Sequence, residues 1–386
     1  MREIGAAILM VSQAPCCGGA ERSLFECAEW LRLHTELEPH VACPEAVTLG
    51  RELKARNIPY AVVRRVKLER GRGIASWIKS MWDLILLAFK VRAVSNSINA
   101  KIVHANGLKA AIPCAISAWI KGIPVLVVHV RDYPKYRYLT KFVLRQASRT
   151  LVASRYAARA LGALVPGASS SIEVIPNGVA MPVLPERPAP EIRKELGVPG
   201  DAFVMTMIAQ MAPWKRHDLF LNALALLQGR DEPIHGIIVG DDIWHRNGEY
   251  IEQLHSRAKM PDLDGRITFL GSREDIGAIL SASDICVLPS SQEPFGRVVV
   301  EAWMVGVPVV VSDAGGPAEL VEHGHTGLCF RNGDVADLVT CISRLFEDEE
   351  LRVRLAEDGK ARAGRYSIEN HAMAVAALYR ELLRCG

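Results

Sequence analysis

The sequence predicts an α/β protein of two domains built on parallel sheets, and three observations carry that prediction. Short apolar runs such as Ile285–Leu288 and Val307–Ser312 have turn residues beside them, as strands buried on both faces do. Between those two runs the pattern is loop then helix, with Pro294 and Gly296 as punctuation and Arg297–Val305 helical. The 386 residues exceed what one hydrophobic core serves, and a proline-rich stretch over 181–190 interrupts the chain near its middle.

Composition narrows the class. Apolar content of 49% and charged content of 23% suit a well-packed globular protein. The start MREIGAAILMVSQ reads as a short strand with Glu3 beside it, not as a charged leader with a cleavage site. Nine cysteines, an odd number with no C-x2-C pair, fit reduced thiols in a cytoplasm and no metal site. Charge is uneven: residues 1–178 hold 25 Lys and Arg against 12 Asp and Glu, whereas 179–386 hold 21 against 31. The halves therefore carry about +13 and −10, and the basic one suits an anionic acceptor or an anionic membrane surface rather than nucleic acid.

In chain order, residues 6–12 form the first strand, and QAPCCGGAERSLFECAEWLRL opens a helix from a glycine-containing loop. Gly18-Gly19 alone reads equally as a tight strand-to-helix turn, since no G-x-G-x-x-G is present. A long loop leads to a weak strand at Tyr60–Val63. Arg64, Arg65, Lys67, Arg70 and Arg72 then precede a helix bearing Trp77, Trp82, Leu84–Leu87 and Phe89. Its apolar part is too short to span a bilayer, so 64–92 reads as a core helix or as a peripheral membrane contact. Strands follow at Ile102–Ala105 and Pro124–His129, which put His104 and His129 at carboxyl ends, where ligands collect in α/β sheets. Helix, strand (Thr150–Ser154) and helix lead to a last strand at Ile172–Ile175 and the turn 176–179. The boundary is placed there: 1–178, then 179–365, with a final helix over about 366–386.

The second half opens with a buried strand, FVMTMIAQM, and the helical APWKRHDLFLNALALL. Ile234–Gly240 ends in Asp241 and Asp242, for which no third metal ligand is evident. After Ile267–Leu270 and GSRED comes the run from Ser283 to Phe330. It holds two carboxylates eight positions apart: Glu293 in the loop and Glu301 about one turn inside the helix. The backbone N–H groups near Gly296, Arg297 and Val298 make a positive helix end suited to phosphate.

The run EPFGRVVVEA, with Asp284, Pro289-Ser290 and GGPAELVEHGHTG around it, resembles the EX7E signature of retaining glycosyltransferases of family 4. That resemblance implies the GT-B fold: two Rossmann-like, doubly wound parallel-sheet domains facing a deep cleft. It implies transfer of a sugar from a nucleotide-diphosphate sugar, such as a UDP- or GDP-sugar, to an acceptor hydroxyl with retention and no obligatory metal. The first domain would hold the acceptor, lipid-linked or anionic, and the second the donor. Of the residues, Glu293 would orient the donor sugar, Glu301 hold the ribose, and Pro294, Phe295, Gly296, Arg297 and Val298 meet the phosphates. Gly271, Ser272 and Arg273 would cradle the base. The glycines of GGAER (Gly18, Gly19) and His129 would lie near the reacting sugar, and Ser154-Arg155 matches a strand-end serine loosely. Asp313–Gly316 and Glu319 would complete the rim. One departure stands out. Where the family reads G-R-x-x-x-x-K-G, this chain has Gln210 for the arginine, keeps Lys215, and has Arg216 for the glycine. Arg216 and Arg297 are the candidates to replace the missing charge. The rivals are a phosphorylase or sugar-nucleotide epimerase on the same fold, and a catalytically inactive binding protein.

Overall fold

The computed structural model describes residues 5–45, 47–66, 73–120, 122–134, 136–167, 171–229, 232–242 and 246–385. The chain divides into two compact units, Met1–Gly178 with Ile368–Gly386, and Val179–Ser367. In the first unit β1 (Ala7–Val11), α1 (Gly19–His34), β2 (Glu38–Pro44), α2 (Val47–Ala55) and β3 (Tyr60–Val63) come first. The long α3 (Gly73–Ser97), β4 (Ile102–Asn106), α4 (Leu108–Trp119), β5 (Leu126–Val130) and α5 (Arg137–Gln146) follow. β6 (Arg149–Val152), α6 (Arg155–Leu164) and β7 (Ile172–Val174) complete that run.

The second unit contains α7 (Ala189–Glu195), β8 (Phe203–Ile208), α8 (His217–Leu226), β9 (Ile234–Val239), α9 (Gly248–Ala258) and β10 (Ile267–Gly271). It continues with α10 (Ile276–Ser281), β11 (Ile285–Leu288), α11 (Arg297–Met304), β12 (Val309–Ser312), α12 (Pro317–Leu320) and β13 (Leu328–Phe330). α13 (Val335–Glu347) and α14 (Glu349–Ala363) close it, and α15 (Ile368–Cys385) returns to the first unit, packing on α1.

Both sheets are parallel and doubly wound. The seven-stranded sheet runs β3-β2-β1-β4-β5-β6-β7 and the six-stranded one β10-β9-β8-β11-β12-β13. Strand order therefore reverses between β1 and β4 and between β8 and β11, and ligands of open α/β sheets bind beyond the carboxyl ends at such reversals. The central strands β1, β4, β5, β9 and β11 are buried at every residue, which explains their mostly apolar runs.

Several elements, α7, α9 and α10 among them, were absent from the sequence reading. The stretch taken as a long loop contains β2 and α2. Pro39 and Pro44 argue against a strand between two others, because proline has no N–H for the ladder. Here Val41 donates to the carbonyl of Pro59, and β3 pairs only from Val41↔Tyr60 onward. Position 39 lies before that ladder begins, so the missing N–H costs nothing.

Candidate functional site

In the second unit, the loops after β8 and β11 meet at the strand-order reversal. Lys215 ends a 3-10 turn over Pro213–Lys215, with its ammonium 4.2 Å above the Trp214 ring. It forms an ion pair with Glu293, whose side chain, like that of Lys215, is only about an eighth exposed (12% and 13%). The pairing is enforced from the backbone, since Ser291 donates its N–H (2.9 Å) and its hydroxyl (3.1 Å) to the Trp214 carbonyl. Arg216 stands at φ 61°, left-handed, which is why glycine suits that position in the resembled pattern. Its guanidinium forks onto Asp218 at 3.1–3.2 Å.

Glu293 is also seated from below. Gly316 donates its N–H to the Glu293 carbonyl at 2.6 Å, and Gly315 has φ 80°. A Cβ at Gly316 would stand 2.5 Å from the Pro294 carbonyl oxygen, and one at Gly315 would stand 2.6 Å from that of Glu293. The glycine pair, read from sequence as a rim, is thus the floor on which the Glu293–Phe295 backbone rests. α11 starts at Gly296 with no side-chain cap, so its first N–H groups keep a positive end; Glu301 lies one turn in, 3.5 Å from the Arg297 guanidinium.

The remaining donor candidates sit along the same carboxyl edge. Gln210 is half-buried in the loop after β8. Gly271 (φ 62°) ends β10, two strands away, with Ser272 exposed; Arg273 is turned to Asp275 at 2.8 and 2.6 Å. Asp242 caps its own loop by accepting the N–H groups of Arg246 (2.5 Å) and Asn247 (2.6 Å). No group of three or more His, Cys, Asp or Glu among the described residues is arranged to hold a metal ion.

In the first unit a chain of polar side chains crosses the other reversal. Ser12, just past β1, donates its hydroxyl to Glu21 at 3.1 Å, and the Asn106 amide reaches both Glu21 (3.4 Å) and the Ala20 carbonyl (3.3 Å). Arg131 donates to the Asn106 oxygen at 2.7 Å and also to Asn177. These bonds hold the start of α1, and with it Gly18 and Gly19, against the ends of β4 and β5. Burial pushes the Glu21 carboxyl up to about 7, against the opposing pull of the Ser12 hydroxyl.

His104 and His129 do not stand at the strand ends. They are the third residue of β4 and the fourth of β5, and both are buried (2% and 0% exposed). β4 and β5 continue past these histidines, to Asn106 and Val130, and both rings are enclosed. His104 shares a 2.6 Å hydrogen bond with the Tyr379 hydroxyl of α15. The His129 ring lies 5.6 Å from that of His104 and 6.2 Å from that of His371, and neither of its nitrogens has a hydrogen-bond partner among the described residues. Burial lowers His104 to about 3 and drives His129 well down, with Arg131 adding to both. Both rings are neutral. Ser154 caps α6 through the Ala157 N–H, and Lys67, Arg70 and Arg72 lie outside the described residues.

Sequence reasoning missed Trp214, Ser291, Asn106, Arg131 and Asn177. A polar residue at a strand end is a weak signal alone; only the strand order brings these together.

Known proteins resemble this chain in sequence and fold. The family Glycosyltransferase Family 4 matches residues 17–181, and Glycosyl transferases group 1 matches 188–362. The lipopolysaccharide core biosynthesis glycosyltransferase LpsE of Rhizobium meliloti (strain 1021) is 32% identical over 192 residues, half of this chain (50%) and 52% of its own length. A D-inositol 3-phosphate glycosyltransferase of Corynebacterium kroppenstedtii is 29% identical over 205 residues, 52% of this chain and 45% of its own. The alignments thus span about half the length of these curated relatives. Among solved structures, Anabaena Alr3699/HepE in complex with UDP and glucose superposes with a TM-score of 0.84 at 26% identity, covering 97% of this chain and all (100%) of that one. The same protein has been solved with UDP-glucose.

Proposed function

Because the chain belongs to the group 1 glycosyltransferases and has their GT-B fold, we propose that it moves a sugar from a nucleotide-diphosphate sugar to an acceptor hydroxyl, with retention at the anomeric carbon. The observation that carries this reading is the Lys215–Glu293 pair beside the uncapped start of α11, at a strand-order reversal. A donor diphosphate bears more negative charge than one carboxylate and competes for Lys215. Glu293 is then left to accept hydrogen bonds from the sugar's hydroxyls. As the sugar departs toward an oxocarbenium-like state, Lys215 and the amides of Gly296–Val298 stabilise the charge gathering on the diphosphate, usually the largest catalytic contribution. Pro294 and Phe295 shape that loop, Glu301 holds the ribose, and Gly271, Ser272 and the backbone of Arg273 meet the base. Arg297, held to Glu301 at 3.5 Å, is our candidate for the charge missing at Gln210 ahead of Arg216, whose guanidinium forks more tightly onto Asp218 at 3.1–3.2 Å.

No divalent ion takes part in this scheme. In the first unit, we assign the acceptor side to the Ser12–Glu21–Asn106–Arg131 network with Gly18 and Gly19; His129, enclosed, acts as packing behind Arg131. A UDP-sugar is the favoured donor because the Anabaena relative was solved with UDP and UDP-glucose. The sugar, hexosyl or N-acetylhexosaminyl, goes to an anionic or lipid-linked acceptor at the cytoplasmic face of a membrane. That acceptor fits the basic first half and the lipopolysaccharide relative. Bacterial polysaccharide or glycolipid assembly is the setting.

Glu293→Gln is expected to lower donor turnover by at least about 100-fold while UDP still raises the melting temperature. Unchanged turnover would remove Glu293 from the chemistry. If UDP-, GDP- and ADP-sugars all leave the melting temperature unmoved, the donor assignment fails. Binding without hydrolysis or transfer favours an inactive binding protein, the reading motivated by Gln210, and consumption of free phosphate favours a phosphorylase.

A further inference from the structure

α3 faces two ways. Leu84, Leu87 and Val91 are buried in the core of the first unit, with Met81, Val94 and Ile98 packed against it. On the other side Ile78 (47%), Trp82 (62%), Leu86 (55%) and Phe89 (52%) are exposed. At 100° per residue these four fall within about 80° of arc, directly opposite the buried set. Lys79 and Lys90, both exposed, stand just past one border of the stripe, and Arg92, also exposed, past the other. Asp83 is the helix's one acidic residue, and Arg64 neutralises it at 3.1 Å. The two sides of the helix thus carry different chemistry: one closes the core, the other presents a ridge of large apolar side chains between cations.

Right-handed crossovers put α3, α4 and α5 on one face of the sheet, and α4 packs against both α3 and α5. On that face Trp119 (66%) and Tyr138 (85%) are also exposed, with Arg137 and Arg145 exposed on α5. An apolar ridge of this kind, set among cations, needs a partner that is apolar within and negative at its border. No described helix is long and apolar enough to cross a membrane. We propose that this face lies on an anionic lipid surface, with Ile78, Trp82, Leu86 and Phe89 entering the headgroup boundary and Lys79, Lys90 and Arg92 meeting the lipid charges. The contact is independent of the transfer reaction, and its readout needs no substrate.

The test is co-sedimentation of the full chain with vesicles of phosphatidylglycerol and phosphatidylcholine in equal parts, and with phosphatidylcholine alone. The wild type is expected to pellet with the first and far less with the second. Trp82→Glu combined with Phe89→Glu should lower the bound fraction at least about fivefold with the melting temperature unchanged. Charge reversal at Lys79, Lys90 and Arg92 should remove the preference for the anionic vesicles. The proposal is overturned if the wild type fails to bind anionic vesicles or if the double variant binds as well as the wild type. It is overturned equally if the wild type is a dimer that Trp82→Glu converts to a monomer without any vesicle binding, which would give the stripe to a second copy.

Discussion

The two strand-order reversals hold ionisable groups by opposite means. In the second unit Lys215 with Glu293, and Arg297 with Glu301, sit near the surface as charged pairs, each side chain 12–13% exposed. In the first unit the groups are enclosed: burial holds His104 and His129 in their neutral form and pushes Glu21 to about 7, beside the buried guanidinium of Arg131. A pair near the surface can exchange partners when a more highly charged ligand arrives. An enclosed, hydrogen-bonded interior keeps its shape and charge across the same event. The difference separates a part that responds to a ligand from a part that fixes backbone around it.

The sharpest way to break that contrast is to move the responsive pair without touching its charges. In Gly316→Ala the new Cβ would stand 2.5 Å from the Pro294 carbonyl oxygen, so the Glu293–Phe295 loop must shift. A displacement of about 1 Å in a positioning group costs on the order of 10²-fold in rate. Turnover should fall by about that much with UDP still bound. Full activity in Gly316→Ala would show that the loop's seat is not what places Glu293.

The interior network is tested through its link to α15. Tyr379→Phe deletes the hydroxyl bonded to His104, whose other ring nitrogen already has no partner among the described residues. Leaving a buried polar group unpaired costs about 1–3 kcal/mol. Chemical denaturation should show that loss, with the activity of the remaining folded enzyme near the wild type. An undiminished stability would mean that the histidine cluster holds nothing together.

How much of this was legible follows the range of each interaction. The strands around the EX7E run were read within two residues because their apolar runs are local, and Glu301 was placed one turn inside α11 from spacing alone. β2 was missed because the position of Pro39 matters only once its pairing with β1 and β3 is known. Gly315 and Gly316 were seen, but not their contact with the Glu293 loop, since Glu293 lies over twenty residues earlier. His129 was read as the last residue of its strand, but β5 runs on to Val130 and the ring is enclosed. Arg131 and Asn177, 46 positions apart, had no signal at all.

Glu21 offers the finest division of the two modes, because its titration runs against that of the buried histidines in the same unit. His104, lowered from 6.5 to about 3, stays neutral in the folded chain where the unfolded chain takes up a proton. Its contribution is intact above pH 6.5 and is lost as pH falls toward 3, by about 1.4 kcal/mol per pH unit. Glu21, raised from 4.5 to about 7, has the reverse sign. Below pH 4.5 it costs nothing, and between pH 4.5 and 7 the folded chain keeps a proton that the unfolded chain has released, so stability falls as pH rises. Glu21→Gln keeps an oxygen for the bonds from Ser12 and Asn106 and removes the titration. Relative to the wild type, the variant should therefore gain stability steadily from pH 4.5 to 7 and hold that gain above it, as read by denaturant unfolding at each pH. A difference that does not change with pH would mean that Glu21 is ionised in the folded chain, and the first unit's interior would then hold a carboxylate as well as the guanidinium of Arg131.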